Sequence, residues 1–497
     1  MAIDLEKFTA LSRGFTKIDL WGAGPPVPPW GKQPTVIKAR KAIDVGSPHL
    51  PLVYQQGYVA PLEAHLRTVL ARTGGDAEPF AAVAYEHAPN SKVLPELRRF
   101  LAVISNLYRS FLANAKRSAA NVPLVTTVPP LAFFQHAGDQ GPYTITSEQV
   151  QGLCGSTIGL VSLPSTYRDH PVLWASLAHE TGGHDVLHAD PGLLAELAGG
   201  VRAMFGGGPV QPGHQPTDTQ LDGLLWSWWI DEAASDVYGI LNIGPAFALS
   251  LAAFFAALTA RARMDHHVPA GAFPSLRTQS GPRDQNDPRL DEHPTDILRL
   301  HLAIGVVESL TGLSTANRNA YIGALRSLST LCAQGAQAVT LTGDVPIERD
   351  RWIRLNNFSR PLGQMQTAAR QAGAFIAKAK LAALGTHGIQ EIETWDDADE
   401  AVTQQIAAAL KQNAPVVDQG DDAQLLAAAT LALLDQPDRY AAVTNRLAEA
   451  LDTSFAHDPI WGPPAPDHEF AQIRFLENGG KGARPRAAGV RPRKPRA

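Results

Sequence analysis

The run His179-Glu180-Thr181-Gly182-Gly183-His184 constrains this chain of 497 residues more than any other stretch. Two histidines four apart on a helix share a face and can bind one metal ion, with the adjacent glutamate as general base. Here they stand five apart. In a regular helix of 3.6 residues per turn, side chains at that spacing point about 140° apart and cannot share an ion. One wide turn of the π type absorbs the extra residue and closes the angle to about 50°. Gly182 and Gly183 lack the Cβ atoms that would crowd such a turn, and a glycine pair in mid-helix is destabilising unless something requires it. Shared metal binding is such a requirement, so the spacing predicts a π-distorted metal helix that begins near His170-Pro171.

A catalytic zinc ion takes three protein ligands and keeps one position for water. His179 and His184 supply two of them. The third is expected from the helix that starts near Asp218 and carries Asp231-Glu232-Ala233-Ala234-Ser235-Asp236. Glu232 is the candidate ligand, because Asp236 lies four residues on and shares its face. One carboxylate can then reach the metal while the other accepts a hydrogen bond from the far ring nitrogen of a ligating histidine. A rival set lies in the same run, with His184 and His188 four apart and Asp185 in the place of the glutamate.

These segments resemble the gluzincin zinc metallopeptidases. The Asp231–Asp236 segment is similar to the thermolysin-like Glu-x-x-x-Asp helix, and the six-residue form His179–His184 resembles dipeptidyl peptidase III, although Asp236 stands where that family has glutamate. His293-Pro294-Thr295-Asp296-Ile297-Leu298-Arg299 is similar to the His-Pro-x-x-x-x-Arg element of CAAX-prenyl-type zinc proteases. The resemblance covers three short segments between residues 173 and 300. It implies a Zn2+ cofactor, peptide-bond hydrolysis with Glu180 as general base, and an oxyanion donor among His293, Arg299 and Tyr238. A strand directly before the metal helix would, in that arrangement, pair with an extended peptide substrate. The reading from another class is a non-catalytic helical binding or scaffold protein that keeps a structural or degenerate metal site.

The expected fold is α+β and predominantly α-helical, a zincin-like core with a small β-sheet and flanking helical segments. Residues 1–55, broken by Gly22-Ala23-Gly24-Pro25-Pro26, read as an extended arm, and 56–120 as a helical segment. The zincin-like domain is placed over 121–345, with strands at Val122–Val128 and Ser156–Leu163, which are rich in β-branched residues. Residues 346–477 read as a C-terminal helical domain and 478–497 as a disordered basic tail. Val237–Ala260 holds 24 residues without a charge, long enough for a membrane span, yet Asn242 and Gly244-Pro245 favour a buried core helix pair. Trp226, Trp228 and Trp229 read chiefly as core packing rather than as a substrate wall.

The net charge is −5, and the tail carries seven basic groups with no acid, so the body is more acidic than the total shows. An acidic body argues against nucleic acid as the main substrate. Cys154 and Cys332 form no disulfide framework, and Met1–Lys7 has acids early and no apolar core of signal length. Both features point to the cytoplasm. The expected partner is a peptide or protein substrate.

Overall fold

The structure, a computed structural model, describes residues 3–20, 94–125, 128–135, 141–156, 158–206, 214–265, 272–282, 286–348, 351–416 and 421–458. It also describes isolated residues between 54 and 87, residues 208, 210 and 211, and 460–461. The basic tail, the proline-rich stretch from residue 21 and His266-His267 lie outside the described residues.

Leu5–Phe15 forms helix α1, capped by the Asp4 carboxylate, which accepts from the Glu6 and Lys7 amides. Phe8, Leu11 and Phe15 are buried, so this part of the expected arm belongs to the core. Leu94–Leu112 (α2) turns Leu97, Phe100, Leu101, Ile104 and Leu107 inward at helical spacing, and the short Asn114–Ala119 (α3) follows.

The described residues of Val122–Val128 hold no strand. The strand forms instead at Leu131–Gln135 (β1), immediately after Pro129-Pro130. Proline has no amide to give a ladder, so pairing starts past the proline pair. β1 runs parallel to Leu160–Pro164 (β3), and β3 pairs antiparallel with Tyr143–Ile145 (β2), in the order β1-β3-β2. β3 is therefore the central strand, with both sides paired, and cannot be the strand that receives a substrate. On the far side of β1 the Phe134 amide donates to the Glu86 carboxylate at 2.7 Å, and His87 Nε2 lies 3.0 Å from the Ala132 carbonyl oxygen. β2 is the outer strand on the other side. Ser147–Cys154 (α4) follows it behind a capping box between Thr146 and Gln149.

After β3 the chain makes a 3₁₀ turn at Pro171–Ser176, with proline in its first position, then a π-helix over Ala178–Asp185 and a last α-turn at Val186–His188. Leu193–Met204 (α5), Asp218–Trp228 (α6), Ile230–Ile243 (α7) and Ala246–Asp265 (α8) come next. The single helix expected through 224–236 is broken at Trp229. The uncharged stretch is a helix pair parted at Gly244-Pro245, with Val237, Ile240, Leu241, Phe247, Leu249 and Ala252 buried. Residues 246–264 form one helix long and apolar enough by length and composition to cross a membrane, and here α8 packs against α1 and other core helices.

A second three-stranded mixed sheet joins Gln279–Ser280 (β4) to a hairpin of Ala338–Glu348 (β5) and Arg351–Pro361 (β6). β6 falls at the start of the segment expected to hold further helices, which begin here at Leu362. Val339, Leu341, Val345 and Ile347 are buried and their neighbours are not, which is the period-two pattern of a half-buried strand.

Between the strands lie Asp296–Ser309 (α9) and Thr315–Ala333 (α10). Leu362–Lys378 (α11), Asp397–Lys411 (α12), Asp422–Asp435 (α13) and Tyr440–His457 (α14) follow. α9 and α11 touch backbone to backbone. A Cβ at Gly305 would lie 2.0 Å from the Arg370 carbonyl oxygen, and one at Gly373 would lie 2.2 Å from that of Leu302. This close contact seats α9, which carries Arg299 to Asp236 behind His179.

Candidate metal centre

The centre is built where the π-helix crosses α7. Gly183 sits directly on Ser235, where a Cβ would fall 2.1 Å from the serine Cβ and 2.3 Å from its Cα. The missing side chain lets the two helices approach until a glutamate from one reaches histidines on the other. Gly183 therefore serves the helix crossing as well as the wide turn.

The π-helix brings His179 and His184 together as the spacing predicts, with ring centroids 4.9 Å apart and planes nearly perpendicular. His179 Nε2 lies 3.1 Å from Glu232 Oε2, and His184 Nε2 lies 3.4 Å from Glu232 Oε1. One ligand atom from each of the three residues falls within 4.8 Å of the other two, close enough to hold one metal ion. His179 and Glu232 are buried, and His184 is partly so.

Each histidine is held from behind by a carboxylate. His179 Nδ1 lies 3.0 Å from Asp236 Oδ1, and Arg299 grips the same carboxylate with Nε and Nη2, each at 2.6 Å. The Arg299 guanidinium stands 4.5 Å from the centre of the Phe255 ring and is 4% exposed. His184 Nδ1 lies 3.2 Å from Asp231 Oδ1, whose other oxygen is 3.3 Å from His188 Nε2. Asp236 supports His179, and Asp231 supports His184. The sequence names Asp236 as a brace without saying for which histidine, and does not name Asp231, because the partner each residue meets depends on the angle at which the helices cross. The rival ligand set is not assembled. His188 turns to Asp231, and Asp185 accepts from the Ser147 amide at 3.1 Å.

The three groups could hold a cation. An ionised carboxylate can only accept, so each Nδ1 carries the proton it donates, and a ring that gives up its second proton presents an Nε2 lone pair beside Glu232. Glu232 Oε2 is buried and has no hydrogen-bond partner. With those protons given up, two nitrogen lone pairs and a carboxylate converge on one point. Without an ion, the rings themselves take up the positive charge that the carboxylates attract. Burial opposes a charge on His179, but Glu232 and Asp236 outweigh it and raise its pKa to about 9; His184 is raised by Glu232 and Asp231 in the same way. Burial alone would raise the Glu232 carboxyl, yet His293, His184 and His179 hold it well below the carboxylate range. Asp236 stays ionised against its burial because of Arg299.

Glu180 is buried beside the triad on the π-helix. The Thr144 hydroxyl of β2 lies 2.9 Å from its carbonyl oxygen and 3.2 Å from Oε2. His293 arrives from the loop before α9, with Nε2 3.2 Å from Glu232 Oε1 and Nδ1 2.8 Å from Asp291 Oδ1, and it is half-exposed. The loop is pinned by tryptophans. Trp228 Nε1 donates to the Leu290 carbonyl and Trp229 Nε1 to that of Asp291, each at 3.0 Å. Trp226 and Trp229 are core residues, and the half-buried Trp228 meets the exposed Trp352 edge-on.

Two of the three expected oxyanion donors are placed elsewhere. Arg299 spends both arms on Asp236 behind His179. Tyr238 lies six positions past Glu232, and its hydroxyl donates to the Leu107 carbonyl at 3.2 Å against α2. Only His293 comes to the face of the centre that Glu232 shares.

Comparison of the chain with protein-family models, curated proteins and solved structures finds no match.

Proposed function

We propose that the chain is a zinc-dependent metallopeptidase with a zincin-like core. The reading rests on one observation: two histidines, each braced at Nδ1 by a carboxylate, converge through Nε2 on the buried Glu232, with Glu180 one residue from the first. His179, His184 and Glu232 would hold the ion, and a site of two imidazoles and one carboxylate suits zinc. When bound, zinc supplies a Lewis acid that acidifies its water and polarises the scissile carbonyl.

The chain's own groups do the rest. Glu180 takes the proton of the attacking water and passes it to the leaving amine nitrogen. His293 donates to the developing oxyanion from the half-exposed side. Arg299 is a support, keeping Asp236 ionised and His179 in its Nδ1–H form. An extended peptide lies along β2, the outer strand that touches Glu180 through Thr144.

The test is zinc content and peptide cleavage in wild type, His179→Ala, Glu232→Ala and Glu180→Gln. About one zinc per chain is expected in wild type and Glu180→Gln, with the ion lost in the other two. Glu180→Gln should keep zinc and lose cleavage of a quenched fluorescent peptide library. Cleavage unchanged in Glu180→Gln, or no zinc after reconstitution, overturns the reading; zinc bound without any cleavage leaves the non-catalytic scaffold.

A further inference from the structure

We propose that Thr144 is a positioning residue for the Glu180 carboxylate, an assignment that rests on Glu180 being the general base. The Thr144 hydroxyl stands within hydrogen-bond reach of two oxygens of one residue, the Glu180 carbonyl at 2.9 Å and Oε2 at 3.2 Å. The one hydroxyl hydrogen is shared between them as a three-centre bond, so the same donor that meets the Glu180 backbone also draws the carboxylate tip toward it. Oε2 is held toward β2, and Oε1 is left free of that contact.

Thr144 is itself well placed to hold something still. Its backbone pairs with Val161 of the buried central strand, so the β2 ladder sets its height above the π-helix. A second tie lies three residues on, where the Ser147 amide donates to Asp185 Oδ1 at 3.1 Å. Glu180 and Asp185 are five apart, one π-turn, and so lie on the same side of the π-helix. Two contacts one turn apart clamp β2 and the start of α4 to the π-helix beside the base. Threonine also suits the position chemically. Its branched Cβ favours an extended backbone and few χ1 states, so the hydroxyl direction is set by the strand. Valine has the same shape and no hydroxyl.

The experiment compares zinc-loaded wild type, Thr144→Val, Thr144→Ser and Glu180→Gln for binding of acetohydroxamate by calorimetry and for kcat and KM on the same fluorescent peptides. A hydroxamate gives up its proton to a neighbouring base as it binds a metal, so its affinity reports where the carboxylate is. Thr144→Val is expected to keep its zinc and its thermal midpoint. It should weaken hydroxamate binding and lower kcat by about tenfold to a hundredfold, with KM little changed. Thr144→Ser is expected to restore both.

Hydroxamate binding lost in Glu180→Gln but unchanged in Thr144→Val overturns the role of Thr144 and leaves Glu180 in place. Loss of zinc in Thr144→Val, or equal impairment in the serine variant, makes the residue a packing element and overturns the proposal. Binding and turnover unaffected by Glu180→Gln would remove the base itself, and the positioning role with it.

Discussion

Gly183 and Ser235 are in contact across the helix crossing with no room for one more carbon, since a Cβ at 183 would lie 2.1 Å from the serine Cβ. Gly183→Ala must push α7 off the π-helix or bend one of them. Overpacking of this kind typically costs about 1–3 kcal/mol, and here the displacement also carries Glu232 away from the histidines. The expected result is a lower midpoint in urea together with loss of stoichiometric metal. Gly199 on α5 has open space where its Cβ would be, so Gly199→Ala should stabilise by about 0.4–1 kcal/mol and leave metal binding alone. Equal behaviour of the two variants would show that the close crossing does not matter.

Metal binding should release protons. The His179 pKa is raised to about 9 and that of His184 is raised as well, so at pH 7 an incoming ion displaces protons from the rings. Apparent affinity therefore rises with pH, by up to about tenfold per pH unit for each proton displaced, and levels off above the raised pKa. For the metal-free protein the sign is the reverse. The protonated ring stabilises the fold fully below the ordinary histidine pKa, and that contribution disappears as pH rises through about 9. Calorimetric zinc titrations at pH 7 in buffers of different ionisation enthalpy measure the release. A heat independent of buffer would contradict it.

The two bracing aspartates should respond differently to the same change. Each holds a ligand histidine by Nδ1, so Asp231→Asn and Asp236→Asn should each weaken metal binding by about 10- to 100-fold. Asp236, however, is 2% exposed and is the partner of the buried Arg299, while Asp231 is 44% exposed. Neutralising Asp236 strands a buried guanidinium, a change worth about 3–5 kcal/mol of stability. Asp231→Asn should leave the unfolding midpoint near wild type. Matching midpoints for both variants would remove the special place given to Arg299.

His301 on α9 gives an acid limb to stability that is independent of the metal. Its Nε2 lies 2.8 Å from Ser329 Oγ, and burial, with Arg370 and Arg326 nearby, lowers its pKa to about 4. The folded state thus resists protonation that the unfolded chain accepts. Stability attributable to this residue is complete above the ordinary histidine pKa and is lost as pH falls toward 4, by up to about 3 kcal/mol. Urea unfolding of wild type and His301→Gln at pH 7 and pH 5 isolates it, because the variant should lose less stability than wild type over that interval. Identical losses would exclude His301 as a source.

Much of the centre was legible because it is written in spacings along single helices. Histidines five apart can meet only across a π-turn, and the turn is there. Glu232 and Asp236 share a helix face at any crossing angle, so a ligand and a brace could be named together. Asp231 and Thr144 were not legible in that way. Each depends on which neighbour stands opposite, and no periodicity encodes that.

The same division holds for the fold. Local sequence by itself determined the π-helix, the helix pair parted at Gly244-Pro245 and the inward face of α2, because backbone sterics and apolar periodicity act within a few residues. Tertiary structure alone decided that β3 is the central strand and β2 the outer one, and that Arg299 backs His179. Strand order and helix crossings are set by contacts between distant segments, such as Gly183 on Ser235 and Gly305 on the Arg370 carbonyl. Only when those segments close together do two nitrogen lone pairs and one carboxylate come to face the same point.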